Sequence, residues 1–285
     1  MLAAGTRVGE YVVGRRVAVG GTSDVYSGRH FTDGTQVAVK VLSPACCIQM
    51  DLVARFLNEA HVLRRLNHPG IVRAFDAGVL PEGGPYMVLE WLPMDLEQTL
   101  VREGGPLPVR EGASVLAQLA AALGALHEQG VVHRDLKPAN VLVARKDAEG
   151  IEVKLADLGL AKHQVPEGAA PVTLPVSTAG AALLGSLDYM APEQWLDSKH
   201  VDARVDVYAL GVLGFQLLAG RLPFAEGSET ELMIRHLRMP PPMHLLGAEV
   251  PGALRSLVER MMAKRAAARP SLDEVRACVS SPVLR

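Results

Sequence analysis

The stretch that constrains this chain most is residues 131–143, VVHRDLKPANVLV. Apolar residues flank a short polar run that carries an aspartate at 135, a lysine at 137 and an asparagine at 140. Pro138 prevents a helix from continuing through the run, because proline lacks an amide hydrogen and its ring collides with the preceding turn. The pattern predicts a loop between two buried supports, on which a few polar side chains converge.

The polar side chains of this loop have complementary chemistry. Asp135 can accept a proton from an alcohol, Lys137 can neutralise a phosphoryl oxygen, and Asn140 can hold a divalent cation. The run resembles the catalytic loop of eukaryotic-type (Hanks-type) serine/threonine protein kinases, His-Arg-Asp-Leu-x-x-x-Asn. A polar loop beside a strand is the alternative, and a lone His-Arg-Asp triplet would favour it. The complete octet between apolar pairs is far more specific.

Composition fits a folded protein of two lobes. The 285 residues are 49% hydrophobic and 21% charged, which is ample for a buried core. The net charge of -2 gives no electrostatic reason to expect nucleic acid or a membrane surface as a partner. The apolar runs Ala113–Leu126 and Val207–Ala219 are shorter than the ~20 residues that a bilayer requires, so we expect buried helices and no membrane segment.

The cysteines and the N-terminal residues bear on the cellular compartment in which the protein works. Cys46, Cys47 and Cys278 are odd in number and poorly spaced for a bridge or a metal site, so we expect reduced thiols. The N-terminal residues do not have the pattern of a secretion signal, so we expect a cytoplasmic protein. The chain stops soon after its last helical pattern, which is also compatible with a domain of a longer protein.

The N-terminal part reads as strands and one phosphate-binding turn. Short β-branched runs broken by glycine predict strands between Tyr11 and Leu42. Small residues between two runs would let the backbone approach a phosphate. The kinase pattern Gly-x-Gly-x-x-Gly-x-Val is met in part, since Ala18 replaces the first glycine, Gly20 is retained and Ser23 replaces the third. A plain hairpin turn would have much the same pattern.

The tetrapeptide VAVK at 37–40 follows. Strand alternation places both valines on one face and Ala38 with Lys40 on the other. The resemblance implies that Ala38 packs on adenine and that Lys40 pairs with the α and β phosphates; a surface lysine on an edge strand is the alternative. Residues 51–66 have the spacing of an amphipathic helix, with Glu59 on its apolar side. Because a buried charge is costly unless paired, Lys40 is its expected partner, as in the resembled family.

Residues 71–75 and 86–89 read as two further strands joined at Gly83-Gly84, followed by Glu90-Trp91-Leu92, which resembles the hinge that binds the adenine edge. We place the boundary between lobes at Leu92-Pro93. The resemblance implies an ATP-binding site made of Val17, Ala18, Val19, Gly20, Gly21, Thr22, Ser23, Val25, Ala38, Lys40, Glu59, Leu89, Glu90, Leu92, Asn140 and Asp157.

Beyond the hinge the pattern is helical. We expect a helix over Val115–His127 that ends at Gly130, then a hairpin of 141–143 with 153–155 around a charged turn, 145–150. Asp157-Leu158-Gly159 resembles the metal-binding Asp-Phe-Gly. The resemblance implies that Asp157 and Asn140 hold Mg²⁺, or alternatively Mn²⁺, on ATP.

Residues 161–184 lack periodicity and suit a mobile loop. Its hydroxyls Thr173, Ser177 and Thr178 are expected sites of autophosphorylation, and Arg134 resembles the arginine that pairs with such a phosphate. Residues 185–193, GSLDYMAPE, resemble the substrate platform Gly-Thr-x-x-Tyr-x-Ala-Pro-Glu, in which Leu187 takes a position often held by proline.

Two further charges complete the family pattern. In the family, the residue matching Asp206 accepts backbone N–H bonds from the catalytic loop, so we expect Asp206 to be buried. Arg269 resembles the arginine that pairs with the Ala-Pro-Glu carboxylate, here Glu193. A solvated arginine is the alternative.

The expected fold is therefore α+β, a bilobal kinase with a small β-rich N-lobe carrying one main helix and a larger, mostly helical C-lobe. We assign the domain to 11–279 (N-lobe 11–92, C-lobe 93–279), with extensions 1–10 and 280–285. The expected activity transfers the γ-phosphoryl of ATP to serine or threonine of a protein substrate. Composition resembles bacterial members, and a dimer would permit autophosphorylation in trans. A pseudokinase scaffold is the alternative, and small-molecule phosphorylation a third possibility.

Overall fold

The structure is a computed structural model that describes residues 2–158, 187–197, 201–225 and 227–281. These residues form two compact units. The first contains residues 2–67 and 71–92, and the second contains 68–70, 93–158 and the described residues from 187 onward. The predicted bilobal α+β fold is confirmed, because the first unit is a sheet with one main helix and the second is mostly helical.

The first unit is built on an antiparallel six-stranded sheet in the order β1-β2-β3-β4-β6-β5. Its strands are β1 Arg7–Val8, β2 Tyr11–Val19, β3 Ser23–His30, β4 Gln36–Leu42, β5 Ala74–Val79 and β6 Pro85–Glu90. Alternate residues of β4, Val37, Val39 and Val41, enter one hydrophobic core with Tyr26 and Val88. Strand alternation therefore leaves Ala38 and Lys40 on the opposite face, as predicted.

The main helix of this unit, α2, spans Met50–Arg65 and follows the short α1, Pro44–Cys47. The predicted strand at 71–75 is wrong in its start, because β5 begins at Ala74. Ile71 and Val72 are buried without belonging to β5, and Ile71 makes only a single bridge, so their apolar character chiefly marks burial. The hairpin at Gly83-Gly84 is present, since the backbone N–H of Gly83 donates to the carbonyl of Leu80 at 2.8 Å.

The second unit packs helices around a small sheet of three strands. The helices are α3 Leu96–Glu103, α4 Val109–Glu128, α5 Pro192–Leu196, α6 Arg204–Ala219, α7 Glu229–Arg238, α8 Gly252–Met261 and α9 Leu272–Val279; the strands are β7 Met94–Asp95, β8 Val141–Asp147 and β9 Gly150–Leu155. The two long apolar runs are the buried helices α4 and α6, as predicted. Across the described ranges, no helix combines the length and apolarity needed to cross a membrane. The three cysteines carry free thiols.

Helix α4 begins six residues before the predicted start. Pro108 precedes its first residue, and Gly112 in the first turns is buried. A Cβ at Gly112 would lie 3.1 Å from the Leu218 side chain of α6, so glycine here permits close helix packing. The helix ends as predicted: Gly130 has φ +71°, and the Val131 N–H donates to the Leu126 carbonyl at 3.0 Å, the pattern of a Schellman cap.

The hairpin of β8 and β9 is longer than predicted. The charged segment 145–150 was expected to form the turn, yet strand pairing continues to Asp147 and resumes at Gly150. Arg145 explains the difference, because its guanidinium lies within 2.9 Å of carboxylate oxygens of Asp147, Glu149 and Glu152. The charges therefore pair on the exposed face of the strands.

A buried histidine lies among the helices of the second unit. Nδ1 of His236 is 2.9 Å from the hydroxyl of Tyr208, and its ring packs edge-on against Phe224. Burial, reinforced by the positive charge of Lys264, lowers the pKa of His236 to about 3. The side chain is therefore neutral in the folded protein at any pH near neutrality.

The low pKa of His236 predicts that the folded protein loses stability in acid. Between pH 6.5 and about 3 the unfolded chain binds a proton at His236 that the folded chain rejects, so stability falls as the pH is lowered through that range. The expected loss is on the order of 5 kcal/mol over the whole range. Urea unfolding at a series of pH values should show a shallower pH dependence in His236→Asn, which keeps an acceptor for Tyr208. Equal slopes in both proteins would contradict the prediction.

Candidate active site

The catalytic loop is anchored by one carboxylate. Asp206, in the first turn of α6, is fully buried. Its oxygens accept the backbone N–H of His133 at 2.9 Å and of Arg134 at 2.8 Å, which is the contact that the resemblance implied. His127 Nε2, at the end of α4, lies 2.7 Å from the same carboxylate. The first turn of α6 and the last turn of α4 thus fix the start of the catalytic loop.

The backbone of the site is strained at two points. Arg134 has φ +64° and Asp157 has φ +51°, and both values lie in the left-handed region that residues other than glycine rarely adopt. Buried His133 ties the two segments together, because its Nδ1 accepts the N–H of Asp135 at 3.3 Å and its Nε2 lies 3.2 Å from the carbonyl of Ala156. Such conformations cost about 1–3 kcal/mol each and persist only where the surroundings hold them.

The chemical groups of the loop converge on Asp135. The side-chain amide of Asn140 donates to the Asp135 carbonyl at 2.7 Å and to its Oδ2 at 3.0 Å. Nζ of Lys137 lies 3.7 Å from Oδ2. Pro138 opens a single 3₁₀ turn over Pro138–Asn140, which brings Asn140 back toward Asp135. An amide and an ammonium therefore hold the carboxylate that was predicted to receive the proton.

Asp157 lies close to the same loop along the chain. The N–H of its neighbour Ala156 donates to the carbonyl of Asn140 at 2.9 Å. A carboxylate from Asp157 and the amide oxygen of Asn140 are the oxygen ligands that a hard cation prefers. Among the described residues no group of three or more His, Cys, Asp or Glu forms a metal cage. That donor set fits a cation that takes its remaining ligands from phosphates and water.

In the first unit the predicted ion pair is present. Nζ of Lys40 lies 2.9 Å from Oε1 of Glu59, and both residues are buried, with 8% and 4% of their surface exposed. The Phe56 ring lies 5.9 Å from the ammonium. Because two buried charges are stable only when paired, the pair fixes α2 to strand β4.

The predicted phosphate-binding turn joins β2 to β3. The N–H of Gly20 donates to the Ser23 carbonyl at 2.8 Å, and a Cβ at Gly20 would lie 2.9 Å from that oxygen, so the position requires glycine. A Cβ at Gly21 would meet open space. Most of the predicted contact residues of this turn are exposed: Val17, Ala18, Val19, Gly20, Gly21 and Thr22. The other two, Ser23 and Val25, are half-buried.

The predicted adenine contacts share one pair of strands. Ala38 of β4 is the register partner of Leu89 in β6, and Glu90 follows as the partner of Val37. Leu92 lies two residues after the end of β6 and is half-buried. Their roles stay predictions, but the register makes Ala38 and Leu89 neighbours.

The platform segment is held from behind by the predicted arginine. Arg269 makes two bonds to Glu193, Nη1–Oε1 at 2.5 Å and Nη2–Oε2 at 2.7 Å, and also donates to the Arg204 carbonyl at 2.8 Å. Its side chain is completely buried, which excludes the solvated alternative. Burial raises the pKa of the half-buried Asp188 in the same segment.

Two contacts were missed from the sequence. His127 reaches Asp206, and Gln194 joins the platform to the catalytic loop by accepting the Ala191 N–H at 3.0 Å and donating to the Arg134 carbonyl at 3.3 Å. Only the position of His127, just before the helix-ending Gly130, could have signalled its role. Thr173, Ser177, Thr178 and Ser186 lie outside the described residues, as does Gly159.

Comparison with known proteins identifies the family. The family model described as the protein kinase domain matches residues 11–281, so the chain belongs to the protein kinase family.

Two bacterial relatives and one plant relative illustrate the similarity. Serine/threonine-protein kinase Pkn1 of Myxococcus xanthus is 40% identical over 262 residues, 92% of this chain and 36% of that protein. Serine/threonine-protein kinase PknA of Mycobacterium tuberculosis is 34% identical over 268 residues, 93% of this chain and 59% of that protein. Serine/threonine-protein kinase ATG1c of Arabidopsis thaliana is 35% identical over 234 residues, 82% and 30% respectively. The chain thus spans between about a third and three fifths of the length of these relatives.

Proposed function

We propose that this chain is a serine/threonine protein kinase that transfers the γ-phosphoryl of ATP to hydroxyls of a protein substrate. The observation that carries the proposal is the loop anchored by Asp206, on which Asn140 and Lys137 hold the carboxylate of Asp135. Lys137, two residues after Asp135, together with Ser186, favours serine or threonine over tyrosine as the acceptor. The serine/threonine kinases among its relatives support the same assignment.

In this mechanism positioning and charge neutralisation lower the barrier, because phosphoryl transfer needs little covalent chemistry from the protein. Asp135 orients the substrate hydroxyl and accepts its proton. Lys137 steadies the γ-phosphoryl group, and Lys40, held by Glu59, fixes the α and β phosphates.

Asn140 and Asp157 would hold Mg²⁺, with Mn²⁺ as a substitute, and the bound ion would neutralise charge on the phosphates. The exposed turn from Val17 to Thr22 would cover the phosphates with its N–H groups. Ala38 and Leu89 would pack on the adenine, and the backbone from Glu90 to Leu92 would bind its edge.

Lys40→Ala is the variant that separates an active kinase from a pseudokinase scaffold. With radiolabelled ATP and casein or myelin basic protein, we expect the unaltered protein to label the substrate and Lys40→Ala to lose at least about 99% of that rate, since its phosphate contact is gone. Lys146→Ala, which removes a surface ion pair with Glu103 and Glu111, serves as the matched control. Equal labelling by Lys40→Ala, or none by the unaltered protein, would refute the proposal. Labelling of a metabolite alone would indicate a small-molecule kinase.

We further propose that the enzyme autophosphorylates at one or more of Thr173, Ser177 and Thr178, with a transient dimer permitting transfer in trans. A phosphate there would be read by Arg134, whose pKa is lowered by burial despite the opposing charge of Asp206. Reduced thiols and the ATP requirement favour action in the cytoplasm. Mass spectrometry of ATP-treated protein should find phosphate in this segment; an unmodified segment with full activity would contradict the idea.

A further inference from the structure

Gln194 is a buried glutamine to which the proposed mechanism gives no role. It lies in the short helix α5, directly after the platform segment, and only 6% of its surface is exposed. Its side-chain oxygen accepts the backbone N–H of Ala191 at 3.0 Å, and its side-chain nitrogen donates to the carbonyl of Arg134 at 3.3 Å. The two ends of one amide therefore hold the backbone of the platform segment and the backbone of the catalytic loop, both of which belong to the second unit.

The chemistry of the two partners requires an amide at this position. The partner in the platform segment is an N–H group, which needs an acceptor, and the partner in the catalytic loop is a carbonyl, which needs a donor. Capping of α5 uses only the side-chain oxygen, and glutamate serves that purpose as well as glutamine. The cap therefore does not explain the side-chain nitrogen of Gln194 or its bond to Arg134.

The carbonyl that Gln194 holds belongs to the peptide group that immediately precedes Asp135. The N–H of the same peptide group donates to Nδ1 of His133 at 3.3 Å. In a trans peptide the carbonyl and the N–H point in opposite directions, so hydrogen bonds at both ends fix the orientation of the peptide plane. Arg134, on one side of this plane, has the left-handed φ of +64°, which persists only where the surroundings hold it. Gln194 thus acts on the direction of the Asp135 side chain through the backbone.

We propose that Gln194 is a positioning residue that sets the distance between the platform segment and the carboxylate of Asp135. The inference rests on the proposed function, in which the platform segment receives the protein substrate and Asp135 orients its hydroxyl. Because a displacement of about 1 Å can lower a rate by about 100-fold, loss of the bond to Arg134 should slow phosphoryl transfer to protein. The slow transfer to water, which the platform segment does not position, should change far less.

The test compares two rates in the same preparation: transfer from radiolabelled ATP to casein or myelin basic protein, and release of inorganic phosphate in the absence of a protein substrate. Gln194→Glu keeps the acceptor for the Ala191 N–H but loses the donor to Arg134, whereas Gln194→Met loses both. We expect each variant to lower the ratio of protein labelling to ATP hydrolysis by about tenfold or more. The KM for ATP should stay within about twofold of that of the unaltered enzyme. A smaller folded fraction would lower both rates in proportion and leave their ratio unchanged.

Gln118→Glu is the matched control. Gln118 lies in α4, and its amide also joins two backbone groups, since its nitrogen donates to the Ile151 carbonyl at 2.8 Å and its oxygen accepts the Val153 N–H at 2.9 Å. Both partners lie on β9, outside the platform segment and the catalytic loop. We expect the ratio of protein labelling to hydrolysis in Gln118→Glu to stay within about twofold of that of the unaltered enzyme.

The outcomes separate this inference from the proposed function. An unchanged ratio in Gln194→Glu, even with a loss in Gln194→Met, would show that Gln194 only caps α5 and would overturn the inference. An equal fall in Gln118→Glu would overturn it too, because loss of any such glutamine bridge would then have the same effect. In either case labelling by the unaltered enzyme would leave the proposed function standing. Absence of labelling by the unaltered enzyme would refute both.

Discussion

Asp135→Asn is expected to lower kcat by about two to four orders of magnitude while the protein folds normally, which is the range that a positioned general base supplies. Asparagine keeps the shape of the side chain and one acceptor for the Asn140 amide, which donates to Oδ2 at 3.0 Å. It cannot take a proton from the substrate hydroxyl. The loss should therefore fall on turnover and leave the affinity for ATP nearly unchanged.

Steady-state labelling of a protein substrate, with circular dichroism and thermal unfolding of the same preparations, measures this effect. Asp147→Asn is the matched control. Asp147 is an aspartate on the exposed β8–β9 hairpin, where it forms an ion pair with Arg145. Turnover of Asp135→Asn within tenfold of the unaltered enzyme would show that Asp135 is not the base.

Asp206→Ala is expected to destabilise the protein by about 3–5 kcal/mol, the range for removing one partner of a buried charged network. The substitution leaves the N–H groups of His133 and Arg134 without their acceptor, and each unsatisfied buried group costs about 1–3 kcal/mol. His127 loses its carboxylate as well. The catalytic loop should consequently be displaced, and activity should fall together with stability.

The urea concentration at the midpoint of unfolding measures that cost. Asp202→Ala is the appropriate comparison, because Asp202 also accepts a backbone N–H, that of Arg204 at 2.8 Å, but lies on the exposed side of the same helix start. We expect less than about 1 kcal/mol there. Similar midpoints for both variants would mean that Asp206 does not anchor the loop.

The charged positions of the site could be predicted because each is a fixed residue type in a fixed local pattern. Lys40, Glu59, Asp206 and Arg269 all make the contacts that the resemblance implied. The helix end marked by Gly130 could also be predicted, since that glycine adopts a left-handed backbone conformation. Local signals of this kind do not depend on what packs against them.

Features set by tertiary packing were not predictable. The helix was predicted to start at Val115, yet α4 begins at Val109 and contains Gly112, whose lack of a side chain lets Leu218 pack closely. The charges of 145–150 read as a turn, yet Arg145 pairs them across strands. His127 and Gln194 make contacts with residues 79 and 60 positions away, which no local pattern announces.

Asp206 holds the catalytic loop through its backbone and not through its side chains, because its carboxylate accepts hydrogen bonds from the N–H groups of residues 133 and 134. Evolution and engineers can therefore exchange the side chain at 134 for another that tolerates φ +64°, such as glycine or asparagine, without moving Asp135. The phosphate sensing proposed for Arg134 would therefore depend on a side chain that the loop anchor does not use, so a single substitution at 134 could remove that proposed control while leaving the catalytic geometry in place.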